Sequence, residues 1–153
     1  MHITRAFPVW ALIFLQALLG LNALVAGGSF LIAPDGHLIQ MPLSNLDNSP
    51  FTNFLIPGLL LLIFVGIFPL LVAYSLWRLP GWRWPEAINP FRRFHWSWAG
   101  SLAAGLIVII WILVQIQWIL VGVLHYTVLI WGFVILLITL TPAVRRYCLR
   151  KTP

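Results

Sequence analysis

The sequence predicts an all-α integral membrane protein in which four transmembrane helices form a bundle. Three observations predict this fold class: 61% of the 153 residues are hydrophobic, only 8% are charged, and the apolar residues are gathered in four long runs. A soluble domain carries about a quarter charged residues, and a disordered chain is more polar still. The mean hydropathy of +0.99 therefore excludes both of those classes.

Each apolar run is long enough to cross the hydrocarbon core, which takes about 20 residues at a rise of about 1.5 Å each. The runs cover residues 9–33, 54–77, 98–120 and 127–143, within a single transmembrane domain over residues 1–153. The first run has about 25 residues and no charge after Arg5. A secretory signal has an apolar core of only about 7–15 residues, so we expect a retained helix. Pro69 lies inside the second run and predicts a kink there, because proline removes a backbone donor.

The nine Lys and Arg residues predict the orientation of the chain. One precedes the first run, four lie between the second and third runs, four follow the fourth, and the two remaining loops contain none. The positive-inside rule assigns such segments to the cytoplasm. We therefore expect a multi-pass protein of the cell inner membrane with both termini cytoplasmic, its net charge of +6 facing anionic lipids. The basic residues are Arg5, Arg78, Arg83, Arg92, Arg93, Arg145, Arg146, Arg150 and Lys151.

The two longer connections predict different surroundings. Residues 78–98 alternate arginine with tryptophan around three prolines, which is typical of a segment that lies along lipid headgroups. Arginine and tryptophan also stack on nucleic acid, but the membrane interpretation already explains the pattern, and we expect no nucleic-acid partner. Residues 34–53 are too apolar for a free loop, so we expect an ordered outer loop that caps the bundle or lies at the outer interface.

Small residues predict where helices approach each other, because lipid provides little hydrophobic drive between helices. Three of them share one face of the first run, and three overlapping small-xxx-small pairs open the third run at Ala99, Gly100 and Ser101. Whether these faces meet within one subunit or between subunits is left open. The predicted packing residues are Gly20, Ala23, Gly27, Gly100, Ala104 and Gly105.

Neutral polar residues are the candidate ligand contacts, because no Asp, Glu, Lys or Arg lies in the interior of a span. This absence removes the usual carriers of proton pumping, voltage sensing and proton-coupled export. Asn22 lies about 20 Å into the first span and needs a partner. We expect an interhelical hydrogen bond there, with a headgroup, quinone or other amphiphile in a pocket as the alternative. Trp111, Gln115 and Trp118 form one stripe of the third span, which packing explains most simply and which also suits a flat ligand.

A metal site and an enzyme site have little support. Asp35, His37, Asp47 and His125 all fall on the expected outer side, and two His with two Asp form a ligand set that metal ions accept. We expect solvated turn residues and no metal, with the metal site as the alternative. No nucleophile–base pair, paired carboxylates or phosphate-binding glycine loop is apparent. We therefore expect no enzyme and no cofactor, while a bound lipid or quinone stays open.

Several short motifs run through the outer loop, the second span and the tail, about half of the chain. They are Pro34-Asp35-Gly36, Met41-Pro42-Leu43-Ser44, Ser49-Pro50-Phe51, Pro57-Gly58, and Thr141-Pro142 followed by Arg145-Arg146-Tyr147. In these motifs the chain resembles uncharacterised small bacterial four-helix inner-membrane proteins. The resemblance implies a bacterial inner-membrane setting and no particular activity. The layout alone is also similar to that of DoxX-like proteins.

The sequence favours a non-catalytic accessory or scaffold subunit that packs against other membrane subunits or against further copies of itself. The lack of a catalytic set of side chains, the small-residue faces and the large aromatic surface support this hypothesis. The alternative is a small protein that binds or transports an amphiphile such as a quinone, lipid or pigment. Its contacts would be Asn22, Trp111, Gln115 and Trp118, with the outer loop as the lid.

Overall fold

The chain folds into helices joined by short connections, as the composition predicts. The computed structural model describes residues 6–119 and 121–150, is 74% helical, and forms no β-strand within those two ranges. This result confirms the all-α prediction. Arg5, Leu120 and Lys151 lie outside the described residues. The helices are α1 (Phe7–Ile32), α2 (Leu55–Arg78), α3 (Arg83–Ala87), α4 (Trp96–Gln115), α5 (Val123–Thr139) and α6 (Pro142–Cys148).

Three of these helices, α1, α2 and α4, are each long and apolar enough to cross a membrane. The fourth predicted span differs from expectation, because α5 has 17 residues and meets α6 at an angle of 64°. Residues 127–143 are therefore not one continuous helix. Thr141 is extended, as a residue before proline prefers, and Pro142 starts a new helix at a position that needs no N–H. Within the described residues, three helices are long and apolar enough to cross a membrane, or four if α5 and α6 count as one bent span.

The third span also ends earlier than residue 120. Beyond Gln115, backbone hydrogen bonds appear that span three residues instead of four. Gln117 N–H donates to Val114 O at 3.2 Å, and Trp118 N–H donates to Gln115 O at 3.0 Å. Such tight turns leave the α-helical path within a few residues. The side chains that follow Gln115 therefore belong to a turn at the outer end of α4.

The middle of α2 widens into a π-helical stretch over Leu61–Ile67. At its end the Phe68 N–H bonds to Ile63 O, five residues back. In a regular α-helix the ring of Pro69 would collide with the carbonyl four residues earlier. The structure accommodates Pro69 through this wider turn, which is a known response of a helix to a disrupted bonding ladder.

The small residues of α1 face α2. A Cβ added to Gly20 would lie 2.8 Å from Gly66 O, and one added to Gly27 would lie 2.8 Å from Gly58 O. Ala23, between the two glycines, is buried. At these positions the two backbones approach so closely that only hydrogen fits, which is the packing that small residues permit in membranes.

The small residues of α4 contact two different helices. A Cβ on Gly100 would meet Val72 of α2 at 2.9 Å, and one on Gly105 would lie 3.1 Å from Gly132 O of α5. Ala104 is fully buried. The faces of α1 and α4 therefore do not pack on each other, and each has its contact within this same chain.

A polar bond crosses the core between α1 and α4. Gln16 is fully buried, and its Nε2 donates to Ser101 Oγ at 3.0 Å. Ser101 Oγ in turn donates to Ser97 O at 2.8 Å. Both side chains are fully buried. Removing either partner would therefore leave the other polar group buried without this hydrogen bond, which would destabilise the fold.

The described arginines gather at one end of the molecule, here called the basic end. His95 Nε2 lies 3.0 Å from Pro80 O, and Trp98 Nε1 donates to Thr139 O at 3.0 Å. Tyr147 OH donates to Leu76 O at 2.8 Å. These bonds bring together the ends of α2, α5 and α6 and the start of α4. The basic end contains Arg78, Arg83, Arg92, Arg93, Arg145, Arg146 and Arg150.

The opposite end, here called the outer end, is formed by the loop between α1 and α2 and the turn after α4. The loop contains two 3₁₀ turns, His37–Ile39 and Leu43–Leu46. Its apolar side chains fold onto the helices, where Leu46 joins a buried cluster with Phe30 and Phe54, whose rings stack at 4.6 Å. The loop is therefore an ordered part of the structure.

Replacing Gly27 by Leu tests the close approach of α1 and α2. We expect Gly27→Leu to destabilise the protein by about 1–3 kcal/mol, because the new side chain meets backbone that cannot rotate away. Gly28→Leu is the matched control, since a Cβ at Gly28 has nothing within 4 Å. Thermal unfolding in detergent micelles, followed by tryptophan fluorescence, measures both. Equal stability of the two variants would contradict the packing.

Candidate ligand cavity and polar clusters at the two ends

A cavity of about 460 Å³ lies toward the outer end. Its wall is formed by α1, the outer loop, α2, α4, α5 and the turn after α4. Sites for small molecules commonly have volumes of about 300–1,000 Å³ and mostly apolar walls. Both the size and the composition of this cavity fit that description.

The four candidate ligand contacts from the sequence all line this cavity. Asn22 comes from α1, Trp111 and Gln115 come from α4, and Trp118 comes from the turn that follows. The stripe on α4 continues past the end of the helix, because the tight turn keeps Trp118 on the same side. The structure thus joins two features that are far apart in the sequence.

Asn22 does not form the interhelical hydrogen bond that we expected. Its side chain is exposed, and Nδ2 donates to Leu18 O of its own helix at 2.8 Å. The residue faces the cavity instead of a neighbouring helix, while Gln16, farther down α1, makes the bond to α4. Lipid tails offer no hydrogen-bond partner, so the remaining amide groups of Asn22 need one from a ligand or from water.

Gln115 is the polar group that the cavity leaves most available. It is partly buried at the C-terminal end of α4, and its side-chain amide makes no hydrogen bond to any of the described residues. Its backbone carbonyl already accepts bonds from Trp118 and Ile119. A carboxamide offers two donors and one acceptor, which suits a carbonyl or hydroxyl group.

Aromatic rings form much of the remaining wall. Phe51 of the outer loop meets Trp118 edge to face at 6.3 Å, and the stacked Phe30 and Phe54 lie beside them. Among the described residues that line the cavity, His125 is the only one with an ionisable side chain. A wall of this kind excludes a charged ligand group, because burying an unpaired charge is costly.

Trp131 is a cavity residue that the sequence analysis missed. It lies in the middle of α5, and its indole N–H is buried without a hydrogen-bond partner. Tryptophan in membrane helices concentrates at the two interfaces. A tryptophan near the middle of an apolar helix is therefore unusual. This placement in the sequence was the signal that could have identified Trp131 as a cavity residue.

The four possible metal ligands do not come together. Asp35 and His37 form a local pair, with Oδ1 and Nδ1 2.7 Å apart, and the side-chain hydrogen bond from His37 lowers the pKa of Asp35. His125 instead accepts the Gly122 N–H through Nδ1 at 3.1 Å. No three His, Cys, Asp or Glu side chains in residues 6–119 and 121–150 are placed to share a metal ion. The alternative of a site made by Asp35, His37, Asp47 and His125 is therefore not formed.

Glu86 organises the basic end. Its Oε2 lies 2.5 Å from a terminal nitrogen of Arg150 and accepts from Asn89 Nδ2 at 3.2 Å, while Oε1 accepts the Trp96 N–H at 3.0 Å. Burial by itself would raise the pKa of Glu86, but these hydrogen bonds outweigh it and leave the pKa below its ordinary value. Glu86 thereby ties α3 to the start of α4 and to the segment after α6.

His95 and Ser97 form a pair that resembles a base and a nucleophile and that the sequence analysis did not find. Their Nδ1 and Oγ atoms are 2.8 Å apart, and Nδ1 also accepts the Ser97 N–H at 3.2 Å. Ser97 is fully buried, so no substrate can reach its hydroxyl. The pair caps the start of α4, because a side-chain acceptor there satisfies a free backbone donor.

No family model, no curated protein and no solved structure matches this chain. The resemblance to small bacterial four-helix proteins remains a prediction.

Replacing Glu86 by Gln tests the network at the basic end. Because the pKa of Glu86 is lowered in the folded protein, its stabilisation is present above the ordinary pKa of 4.5 and is lost as the pH falls through the lowered value. We expect Glu86→Gln to lower stability by about 1–2 kcal/mol at pH 7. The difference from the unmodified protein should shrink toward zero in acid.

The control is Asp47→Asn, which also removes one carboxylate but lies at the outer end, away from this network. Its midpoint of thermal unfolding should stay close to that of the unmodified protein at every pH from 7 down to acid, because both proteins retain Glu86. A Glu86→Gln variant whose deficit grows on acidification would show that the ionised carboxylate does not stabilise the fold.

Proposed function

We propose that this chain is a multi-pass protein of the bacterial inner membrane that binds a neutral amphiphile in the outer-end cavity. The ligand class includes quinones, neutral lipids and pigments. The observation that carries the proposal is that Asn22, Trp111, Gln115 and Trp118 line one cavity of about 460 Å³. The sequence had marked these residues for their polar or aromatic character within the spans.

The chemistry of the wall supports an amphiphile with a polar head and an apolar body. The Gln115 amide can bind a carbonyl or hydroxyl oxygen, and His125 adds a second polar group near the outer end. Flat rings pack well against Trp111 and Trp118. The lack of a charged side chain among the described lining residues favours a neutral head over a phosphate or carboxylate.

The outer loop supplies part of the wall and fits the role of a lid. Met41, Leu46 and Phe51 of the loop all line the cavity, so a ligand would be covered from the outer side. Loops without long regular elements open at low cost relative to packed helices. Ligand exchange by movement of this loop therefore requires no separation of the helices.

The accessory-subunit hypothesis has weaker support from the geometry. Its specific argument was that small-residue faces were available to a partner, but Gly20 and Gly27 pack on α2, and Gly105 packs on α5. The exposed aromatic and aliphatic side chains on the helices are what lipid itself covers. No remaining contact favours a protein partner over lipid or over a second copy.

We further propose that the basic end faces the cytoplasm and that both ends of the chain lie on that side. Seven described arginines lie at the basic end, while the described residues of the outer end include no Lys or Arg. This asymmetry is the one that orients membrane proteins during insertion. The half-buried Trp82 and the exposed Trp84 at the basic end fit the interfacial level.

Replacing Gln115 by Ala tests ligand binding. The protein is extracted in a mild detergent, and bound molecules are measured by native mass spectrometry and by chromatography of an organic extract. We expect about one equivalent of a neutral amphiphile on the unmodified protein, and a loss of at least about fivefold in Gln115→Ala, because one hydrogen bond is worth about 1 kcal/mol or more when buried.

The control is Gln117→Ala, since Gln117 is two residues away, exposed, and bonded to Leu113 O of its own helix at 3.3 Å. It does not line the cavity, and its ligand content should equal that of the unmodified protein. Equal occupancy in both variants would place the ligand elsewhere. A stoichiometric protein partner without any ligand would favour the accessory-subunit hypothesis instead.

Cysteine labelling tests the orientation. Gly81→Cys and Ser44→Cys place thiols at exposed positions of the basic and outer ends. Cys148 is only 1% exposed, so it should stay unlabelled in the unmodified protein. On intact cells, a membrane-impermeant maleimide should label Ser44→Cys at once and Gly81→Cys only after the membrane is permeabilised. The reverse pattern would disprove the orientation.

A further inference from the structure

A second pocket, of about 290 Å³, lies at the basic end. It is separate from the outer-end cavity and shares none of its lining residues. One side comes from the segment before α4, and the other comes from α6 and the residue after it. The lining residues are Arg93, Phe94, Pro142, Arg145, Arg146 and Leu149.

The three arginines of this pocket have no carboxylate opposite them. Among the described residues the ion pairs of the basic end all involve Glu86, whose bond to Arg150 is outside the pocket. The other two acidic residues of the chain belong to the outer loop. Arg93, Arg145 and Arg146 therefore concentrate positive charge in one place, and an anion bound among them would lower its electrostatic free energy.

Backbone hydrogen bonds hold the two sides of the pocket together. The Arg150 N–H donates to Arg93 O at 3.0 Å, and the His95 N–H donates to Cys148 O at 2.8 Å. These bonds flank a bridge between Phe94 and Leu149. The arginines thus project from backbone that is already joined, which reduces the ordering that a ligand would have to impose.

The floor of the pocket is apolar and packed. The ring of Phe94 stacks on Trp98 at 4.6 Å, and the Arg145 guanidinium lies 5.8 Å from the centre of the Phe94 ring. Trp98 is itself buried and bonded to the end of α5. A ligand in this pocket would meet cationic groups at the rim and an apolar surface below.

We propose that this pocket binds the phosphate headgroup of an anionic phospholipid from the cytoplasmic leaflet. Guanidinium groups match phosphate oxygens with paired hydrogen bonds. The apolar floor formed by Phe94, Pro142 and Leu149 suits the first carbons of the acyl chains. Basic pockets between helices on the cytoplasmic side are where anionic headgroups bind membrane proteins. The proposal rests on the orientation proposed above, in which the basic end of a membrane-spanning chain faces the cytoplasm, and not on the ligand of the outer-end cavity.

The experiment compares two triple variants that change the net charge equally. The site variant combines Arg93→Gln, Arg145→Gln and Arg146→Gln. The protein is stripped of lipid in a neutral detergent and titrated with phosphatidylglycerol or with phosphatidylcholine, and bound lipid is counted by native mass spectrometry. We expect the site variant to bind phosphatidylglycerol at least about tenfold more weakly than the unmodified protein, with phosphatidylcholine weak in both.

The control variant combines Arg78→Gln, Arg83→Gln and Arg92→Gln, none of which lines the pocket. It also removes three charges from a chain of net charge +6, so any diffuse attraction to anionic lipid falls equally in both variants. We expect the control to bind phosphatidylglycerol within about threefold of the unmodified protein. An equal loss in both variants would overturn the proposal, since it would mean that net charge alone attracts the lipid.

A second variant protects the test against misfolding. Replacing the same three arginines by lysine keeps the charge but removes the paired hydrogen bonds, so lipid binding should weaken by about threefold or more. Unchanged affinity would overturn the proposed headgroup geometry.

A competition separates a lipid from a soluble source of the same chemistry. Glycerol phosphate and inorganic phosphate at millimolar concentration should displace little phosphatidylglycerol. Strong displacement, or capture of an acidic peptide in preference to lipid, would assign the pocket to a different occupant and overturn the proposal.

Discussion

Close contact between α1 and α2 is the interaction on which the remaining structure depends. A bilayer provides little hydrophobic drive between helices, so their association relies on van der Waals packing at short range. The π-helical stretch of α2 takes up more room than an α-helical turn, and Gly20 and Gly27 of α1 leave that room. Once this pair is in place, α4 packs on α2 through Gly100 and on α5 through Gly105. At the outer end, large side chains surround the cavity. The close packing at the glycines leaves no such space.

The distribution of polar groups follows from the same apolar surroundings. In the core, Gln16 of α1 bonds to Ser101 of α4. At the basic end, Glu86 forms an ion pair with Arg150 and accepts hydrogen bonds from the Asn89 side chain and the Trp96 N–H. Between these regions and the outer loop, Gln115 is left facing a cavity with no partner among the described residues. This amide is the group that the proposed ligand would bind.

The two pockets differ in the chemistry that they offer. The outer-end cavity is aromatic and uncharged among its described residues, which suits a neutral amphiphile. The pocket at the basic end places three arginines over an apolar floor, which suits an anionic headgroup. A chain with both would be held in the cytoplasmic leaflet by one lipid and would present a second binding space toward the other leaflet. The second site would then carry the specificity of the protein for its ligand.

Hydropathy and charge along the chain were enough to predict the helical class, the approximate spans and the collection of arginines at one end. These properties are sums over neighbouring residues, so they do not depend on how the helices pack. The break before Pro142 was not predicted, although the sequence contains its signal, because a residue before proline disfavours the helix. The sequence did not predict which neighbouring helix each helix face would contact. Asn22 and Gln16 are both amides in α1, and only the rotation of α1 against α2 and α4 decides that Gln16 bonds across the core while Asn22 faces the cavity. Tertiary structure decided the cavity for the same reason, since its wall combines side chains from distant segments whose relative placement depends on packing.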